Sequence, residues 1–392
     1  MIDLSRLRQA FAGFSSKNPR IFSAPGRINL IGEHTDYNEG FVLPAAANLR
    51  TYVAGAIRSD QQVRVLSLNL NETASFSLEL AAPRLTPGWV SYVEGIARTL
   101  VQLDLPISGA DMVLLSEVPI GGGLSSSAAL EVSVGFALIK LSGLELGLHE
   151  LATAAQRAEH DFVGTRSGLM DQLAVTQGKR DHAMLIDCRS LQIKQIPMSM
   201  ERTSLVVCDT QVKHKLASSD YNKRRAECED AVKLLRQKNA QIRSLRDLSP
   251  KDQALLDSLP EPQRRRARHV VSENARTLAA STALERNDID TMGRLMIESH
   301  QSLRDDFEVS CRELDIMFEL ARKQDGVLGS RMMGGGFGGC TINLVENHSL
   351  DNFIAAMTAG YQTAMGLAPK VTSITADDGV SEFVPNRDDS KT

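Results

Sequence analysis

Pro119-Ile-Gly-Gly-Gly-Leu-Ser-Ser-Ser-Ala-Ala-Leu130 separates two segments of different pattern. Met112 to Val118 before it is an apolar run suited to a strand. After it, an alanine-containing apolar segment continues from Ala128 to Leu141 and stops at Gly143. The succession predicts a strand, a glycine loop and a helix N-terminus. Gly121, Gly122 and Gly123 carry no Cβ, so their N–H groups can approach a ligand closely. Beyond Leu124, the hydroxyls of Ser125, Ser126 and Ser127 fall at the first turn of the helix. Unpaired N–H groups and the positive dipole end favour an anion there. A phosphate is the expected guest, and the competing expectation is a turn whose serines merely cap a buried helix. No Gly-Lys-Ser/Thr follows the glycines, which excludes a Walker A loop, and G-x-G-x-x-G cannot be read in register with a βαβ unit.

Three other stretches carry chemistry. Between Ile21 and Pro44 a strand pattern is broken at Pro25-Gly26, and Gly32 is followed by Glu33, His34, Thr35, Asp36, Tyr37 and Asn38 crowded between apolar segments. A polar loop between buried strands tends to carry function, although a solvated hairpin tip has the same composition. Gly164-Thr-Arg-Ser-Gly-Leu-Met-Asp-Gln-Leu173 sets one carboxylate, Asp171, among small residues. It reads either as a cap or as a general base in a partly desolvated cleft. Arg331-Met-Met-Gly-Gly-Gly-Phe-Gly-Gly-Cys-Thr-Ile-Asn-Leu-Val345 holds five glycines in six positions before a strand, more than a turn requires, and suits close approach to a ligand or another loop.

The rest of the chain bounds the class. With 392 residues there is room for two domains, expected as 1–200 and 201–392; 42% apolar and 23% charged residues are ordinary for a globular protein. A net charge of −4 argues against a nucleic-acid partner. Five scattered cysteines without C-x-x-C spacing read as reduced thiols, not a zinc site or disulfide framework. No signal peptide or membrane-spanning run is read, so a cytoplasmic location is expected. Helical spacing predicts a short helix at the N-terminus, helices over Gly88–Leu100 and His149–Phe162, and a mainly helical region from Asn222 to about residue 326. Glu159 lies on the second of these, as an exposed charge on a polar face unless it has a partner. Arg264-Arg265-Arg266 with Arg268 reads as a solvated helix face. The tail Asn386–Thr392 reads as disordered.

Taken together, Gly26–Asn38, Pro119–Ala129 and Met333–Gly339, with Tyr221–Cys228 and Arg266–Val270, resemble the galactokinases of the GHMP small-molecule kinase family. The resemblance covers about residues 20–380. It implies an α+β fold of two lobes, with mixed sheets and helices and the active site in the cleft between them. It also implies ATP-dependent phosphorylation of the C1 hydroxyl of α-D-galactose, the entry step of galactose catabolism by the Leloir pathway. Asp171 resembles the base that takes the C1 proton, and Arg27 the cation beside it. Glu33, His34, Thr35 and Asp36 align with the sugar-binding stretch, and Tyr221 with a further sugar contact. Gly121 to Ser127 align with the nucleotide phosphate loop, and Ser127 and Glu159 with the ligands of Mg²⁺.

The chemistry agrees with that resemblance. Phosphoryl transfer needs positioning and charge neutralisation more than covalent chemistry, and Mg²⁺ takes hard oxygen ligands while keeping several waters. Galactose is uncharged, so it must be recognised by hydrogen bonds to its hydroxyls, which can discriminate strongly between epimers. Arg312, where relatives often have proline, and Ile342-Asn343 depart from the family pattern away from these residues. An N-acetylgalactosamine or arabinose kinase would share the phosphate loop, but intact Thr35 and Asn38–Pro44 favour galactose. Mevalonate- and homoserine-type relatives lack the Glu33–Asp36 cluster. A catalytically silent sugar and ATP sensor would lose residues after the serine run, whereas Ser127-Ala128-Ala129 and Asp171 are present. The expected partners are galactose and ATP, with nothing in the sequence that calls for more than a monomer.

Overall fold

The computed structural model describes residues 4–85, 88–213 and 217–383; the tail read as disordered lies outside them. In chain order the strands are β1 (Arg20–Asn29), β2 (Phe41–Val42), β3 (Pro44–Ile57), β4 (Gln62–Ser67), β5 (Glu72–Ser77), β6 (Ala110–Ser116), β7 (His182–Asp187), β8 (Gln192–Pro197), β9 (Thr203–Lys213), β10 (Val327–Met333), β11 (Gly338–Glu346), β12 (Lys370–Ile374) and β13 (Ser381–Phe383). The helices are α1 (Leu4–Phe14), α2 (Val90–Gln102), α3 (Ser126–Leu141), α4 (Leu148–Ala158), α5 (Met170–Gln177), α6 (Ala217–Lys238), α7 (Gln253–Asp257), α8 (Gln263–Glu285), α9 (Ile289–Ser302), α10 (Arg312–Ala321) and α11 (Leu350–Met365).

Three sheets result, in the orders β13-β1-β3-β6-β4-β5, β10-β11-β9-β12 and β2-β7-β8. All pairings are antiparallel except β4 with β6. The mixed α+β architecture therefore matches the expectation. The expected division near residue 200 falls between β8 and β9, but the end of the chain crosses back: β13 pairs with β1, and Ala376 bridges to Ala47.

Strand β1 organises the first half because both of its faces are covered. Phe22 and Ala24 join the core formed with α2 and α3, while Ile21 faces the cluster that holds Leu7 and Phe11 of α1. That alternation is the period of two that a strand imposes on side chains. The strand is not broken at Pro25-Gly26 as the sequence suggested. It continues through an irregularity, where its partner on β3 jumps from Arg50 to Ala47. Proline has no N–H to give the ladder, so a register shift is a place it can occupy. A Cβ on Gly26 would stand 2.8 Å from the Leu124 carbonyl oxygen, so the serine-glycine loop docks directly on this residue.

Two helical expectations change in detail. The segment His149–Phe162 is α4 followed by a π-turn over Glu159–Val163, ended by Gly164 at φ 86°. Wide turns of this kind recur at functional sites. The arginine run is not a solvated face throughout. Arg268 is exposed and Arg264 and Arg265 are half-buried, but Arg266 is buried, its guanidinium donating to Glu227 at 2.7 Å, Glu308 at 2.6 Å and the Asp306 carbonyl at 2.7 Å. Periodicity placed this run on a helix, but the acids that bury Arg266 come from distant segments that no local pattern announces.

Candidate active site

The glycine-serine loop and the third glycine cluster face each other. Gly123 has φ +74°, and a Cβ there would meet the Cys340 sulfur at 2.9 Å and the Met333 carbonyl at 3.1 Å. Both the backbone angle and the close approach therefore require glycine. Between the two loops lies a cavity of about 390 Å³, lined by Gly121, Gly123, Ser125, Ser126, Ser127 and the Met333–Gly339 backbone. Ser126 and Ser127 open α3 and present its N-terminus to this space. Ser125, in the left-handed region, makes no capping hydrogen bond; its hydroxyl donates to Asp171 Oδ2 instead.

Asp171 is the second residue of α5, carried into contact with β1. Arg27 Nε and Nη2 donate to its Oδ1 at 2.8 and 2.5 Å, and Arg27 Nη1 donates to the Gly123 carbonyl at 2.8 Å. Arg27 is 4% exposed. Burial works against its charge, but Asp171 and then Glu33 outweigh that and raise its pKa.

A second cavity, of about 200 Å³, begins on the other side of this pair. Glu33, His34, Asp36, Glu159, Thr165, Ser167, Gly168, Met170 and Tyr221 line it, and Arg27, Asp171, Gly334 and Gly335 belong to both cavities. His34 sits at φ 63° with its ring among Tyr37, Tyr221 and Phe307. Its Nδ1 is 2.8 Å from the Tyr37 hydroxyl, and its Nε2 is buried without a well-formed protein partner. Burial first, and the His269 ring next, push its pKa down to about 3, so the imidazole is neutral at pH 7. Burial raises the Asp36 carboxyl to about 7. A Cβ on Gly168 would lie 1.9 Å from Asp36 Oδ2, so only glycine leaves Asp36 its place.

Of the predicted residues, Leu124 packs its side chain into the apolar core, Gly122 lines neither cavity, and Thr35 also faces elsewhere. Fully buried, its hydroxyl lies 2.9 Å from the Gly32 carbonyl and 2.6 Å from that of Phe41, closing the loop rather than lining the cavity. Glu33 is 1% exposed and divides its oxygens among Gly334 N–H, Asn29 and Arg331. The His269 ring holds the Glu33 carbonyl at 3.1 Å, and Arg266 ties α8 to Glu227 on α6, the helix that carries Tyr221. The two secondary motifs thus brace the polar loop from behind.

Glu159 is not an exposed charge. It is 7% exposed at the start of the π-turn and accepts from Ser167 at 2.6 Å and Gln172 at 3.1 Å. Burial raises its pKa, while Ser167, Gln172 and Ser127 hydrogen bonds oppose that rise. Ser127, on the first cavity, and Glu159, on the second, are therefore adjacent. Hydroxyl and carboxylate are hard oxygen donors, and two protein ligands suit an ion that also takes phosphate oxygens and water. Among the described residues, no cluster of three or more His, Cys, Asp or Glu side chains could hold a metal ion by itself.

The chain matches the galactokinase galactose-binding signature over residues 9–57, the GHMP kinases N terminal domain over 91–179 and the GHMP kinases C terminal domain over 280–363. It is 49% identical to a galactokinase of Chloroflexus aggregans over 383 residues, covering 97% of this chain and 98% of that one. The chain belongs to the galactokinase family. A galactokinase of Glaesserella parasuis is 43% identical, covering 91% of this chain and 93% of its own. The crystal structure of Lactococcus lactis galactokinase complexed with galactose superposes with a TM-score of 0.92 at 36% identity, covering 97% of this chain and all of that one. A mevalonate kinase structure at 17% identity and TM-score 0.64 shares the fold.

One part of this galactokinase-family site had no signal in the sequence. A third cavity, of about 430 Å³ and mostly apolar, opens beside the serines and is lined by Leu70, Trp89, Tyr92, Leu114, Ile120, Leu130 and polar neighbours including Asn69. These residues come from a turn after β4, from the start of α2, from β6 and from both sides of the glycine loop, so no local motif unites them. Gln172, next to Asp171 in sequence, was also passed over, though it holds Glu159.

Proposed function

We propose that this chain transfers the γ-phosphoryl group of ATP to the C1 hydroxyl of α-D-galactose, releasing galactose 1-phosphate and ADP. The observation that carries the reading is that Asp171 and Arg27 form part of the wall of both a glycine-lined cavity and a polar one. A group straddling two such cavities can act on a hydroxyl in one and a phosphate in the other. Near-attack placement of this kind accounts for much of the rate in phosphoryl transfer.

Each residue then has a task. The N-terminus of α3, with Gly121–Ser127, cradles the nucleotide phosphates through backbone N–H groups and hydroxyls. The apolar cavity around Leu70, Trp89 and Tyr92 takes the adenine ring. Glu33, Asp36, neutral His34 and Tyr221 meet the sugar hydroxyls, His34 Nε2 being a buried polar atom that gains a partner when sugar binds. Asp171 accepts the C1 proton as the oxygen attacks phosphorus. Arg27, pinned by Asp171 and the Gly123 carbonyl, offsets negative charge on the group in flight. Ser127 and Glu159 would hold Mg²⁺, whose charge neutralises phosphate oxygens. Thr35 acts indirectly, by fixing the loop.

The test is ADP release with Mg²⁺ against galactose, glucose, N-acetylgalactosamine and arabinose, with the phosphate located on the product by NMR. Turnover largely confined to galactose with phosphate on C1 is expected. Galactose binding without turnover would identify a sensor, and preference for another sugar would overturn the assignment of residues 33–44.

A further inference from the structure

Arg331 lies on β10 with its side chain fully buried. Its Nη1 donates to the Asn29 carbonyl at 3.0 Å and stands 3.4 Å from Glu33 Oε1. Its Nε and Nη2 are buried without a hydrogen-bond partner among the described residues. A guanidinium held this way is a costly means of stabilising a core, since apolar residues of similar volume often do as well as a buried ion pair. Its position suggests another use. Glu33 Oε1 also accepts from the Gly334 N–H at 2.8 Å, and Asn29 Nδ2 donates to Glu33 Oε2 at 2.5 Å. The Asn29 N–H in turn points at the Met333 sulfur at 3.1 Å. Glu33 lines the polar cavity, Met333 the glycine-lined one, and Gly334 both. One carboxylate thus anchors the partition between the cavities, and Arg331 opposes its charge from behind.

We propose that Arg331 is a positioning residue that holds Glu33 against the Gly334 backbone, so that filling the sugar cavity and filling the phosphate cavity favour each other. The inference rests on the reading of these cavities given above. With Arg331 in place, a sugar that engages Glu33 also fixes Gly334 and Gly335, and the phosphate-facing loop arrives pre-ordered. Without it, Glu33 keeps its sugar-facing position but loses the second point that ties it to β10.

Calorimetric titration of galactose into the full chain, with and without Mg²⁺ and a non-hydrolysable ATP analogue, reads this directly. In the unaltered protein the analogue is expected to tighten galactose binding by about 5-fold or more. In Arg331→Met that ratio is expected to fall close to one, with KM for both substrates raised. In Arg331→Lys, which keeps the charge but not the fork, the ratio is expected to be intermediate. An unaltered ratio in Arg331→Met, or a lowered melting temperature with unchanged coupling, would overturn the proposal. A ratio near one in the unaltered protein would do the same. Should Arg331→Met fail to fold, a wild-type ratio in Arg331→Lys overturns it alone. If the unaltered protein binds no galactose under either condition, the functional reading of the cavity fails instead.

Discussion

Replacing Asp171 with asparagine removes one charge and almost no volume, so the effects on fold and chemistry can be read apart. Breaking a buried ion pair from one side costs about 3–5 kcal/mol when nothing compensates. Here three things compensate. The amide oxygen of the variant still accepts from Arg27, the Asp171 side chain is 25% exposed, and Glu33 also balances the guanidinium. The Ser125 hydroxyl, which donates to Asp171 Oδ2, can turn to accept from the new amide N–H. The expected loss of stability is therefore about 1–2 kcal/mol, a shift of a few degrees in melting temperature at most. The proposed proton acceptor, however, is gone, and general-base catalysis is worth about 10²–10⁴-fold. Asp171→Asn should lower kcat by about 10³-fold while galactose binding by calorimetry stays within a few-fold. An unchanged kcat would refute the role of Asp171. A loss of activity that merely tracked a large fall in melting temperature would refute the separation of fold from chemistry.

Further outcomes follow from the same geometry. Asp36 holds its proton up to about 7 in the folded chain against 3.8 ordinarily, so its burial destabilises the fold increasingly as pH rises between those values and by a constant amount above. As the ionised form accepts more hydrogen bonds, kcat/KM for galactose should climb through pH 7 to a plateau. Asp36→Asn should flatten that limb, and a limb that persisted would assign it to another group. Gly168→Ala puts a methyl into the space of Asp36 and should raise KM for galactose at least about 10-fold, roughly the cost of 1–3 kcal/mol typical of overpacking, with KM for ATP nearly unchanged. Leu70 is 40% exposed on the apolar cavity. Leu70→Ser should raise KM for ATP several-fold while leaving galactose affinity and melting temperature alone; equal effects on both substrates would move adenine elsewhere.

What the sequence revealed and what it hid divide along a physical line. The glycine loop, the polar loop after Gly32 and the segment around Asp171 were legible because each concentrates unusual residues within a dozen positions, and such clustering has few purely structural uses. The role of the third glycine cluster as a facing loop was half legible: the need for close approach was evident, but not that Gly123 is what it approaches. Arg266 was misread because a helix face is judged by its own spacing, whereas Glu227 and Glu308 reach it from other elements. The burial of Glu159 depends on a π-turn, which differs from an α-turn by one residue in the hydrogen-bond ladder and leaves no compositional mark. The apolar cavity was hidden because Leu70, Tyr92 and Ile120 look like any other apolar residues. Thr35 was placed by its neighbours in the motif, yet its hydroxyl serves the loop.

The pairing of β13 with β1 has a consequence for synthesis. Arg20 meets Glu382 across 362 positions, and the guanidinium of Arg50 on β3 donates to the carbonyls of Asp378 and Gly379. The strand that carries Arg27 is thus among the first made, yet one flank stays open until nearly the whole described chain has left the ribosome. At about 5–20 residues per second, that interval is tens of seconds. An unpaired strand flank is a template for unwanted pairing. During those seconds the nascent first half presents one, and chaperone occupancy on arrested chains should drop only once residues 381–383 emerge.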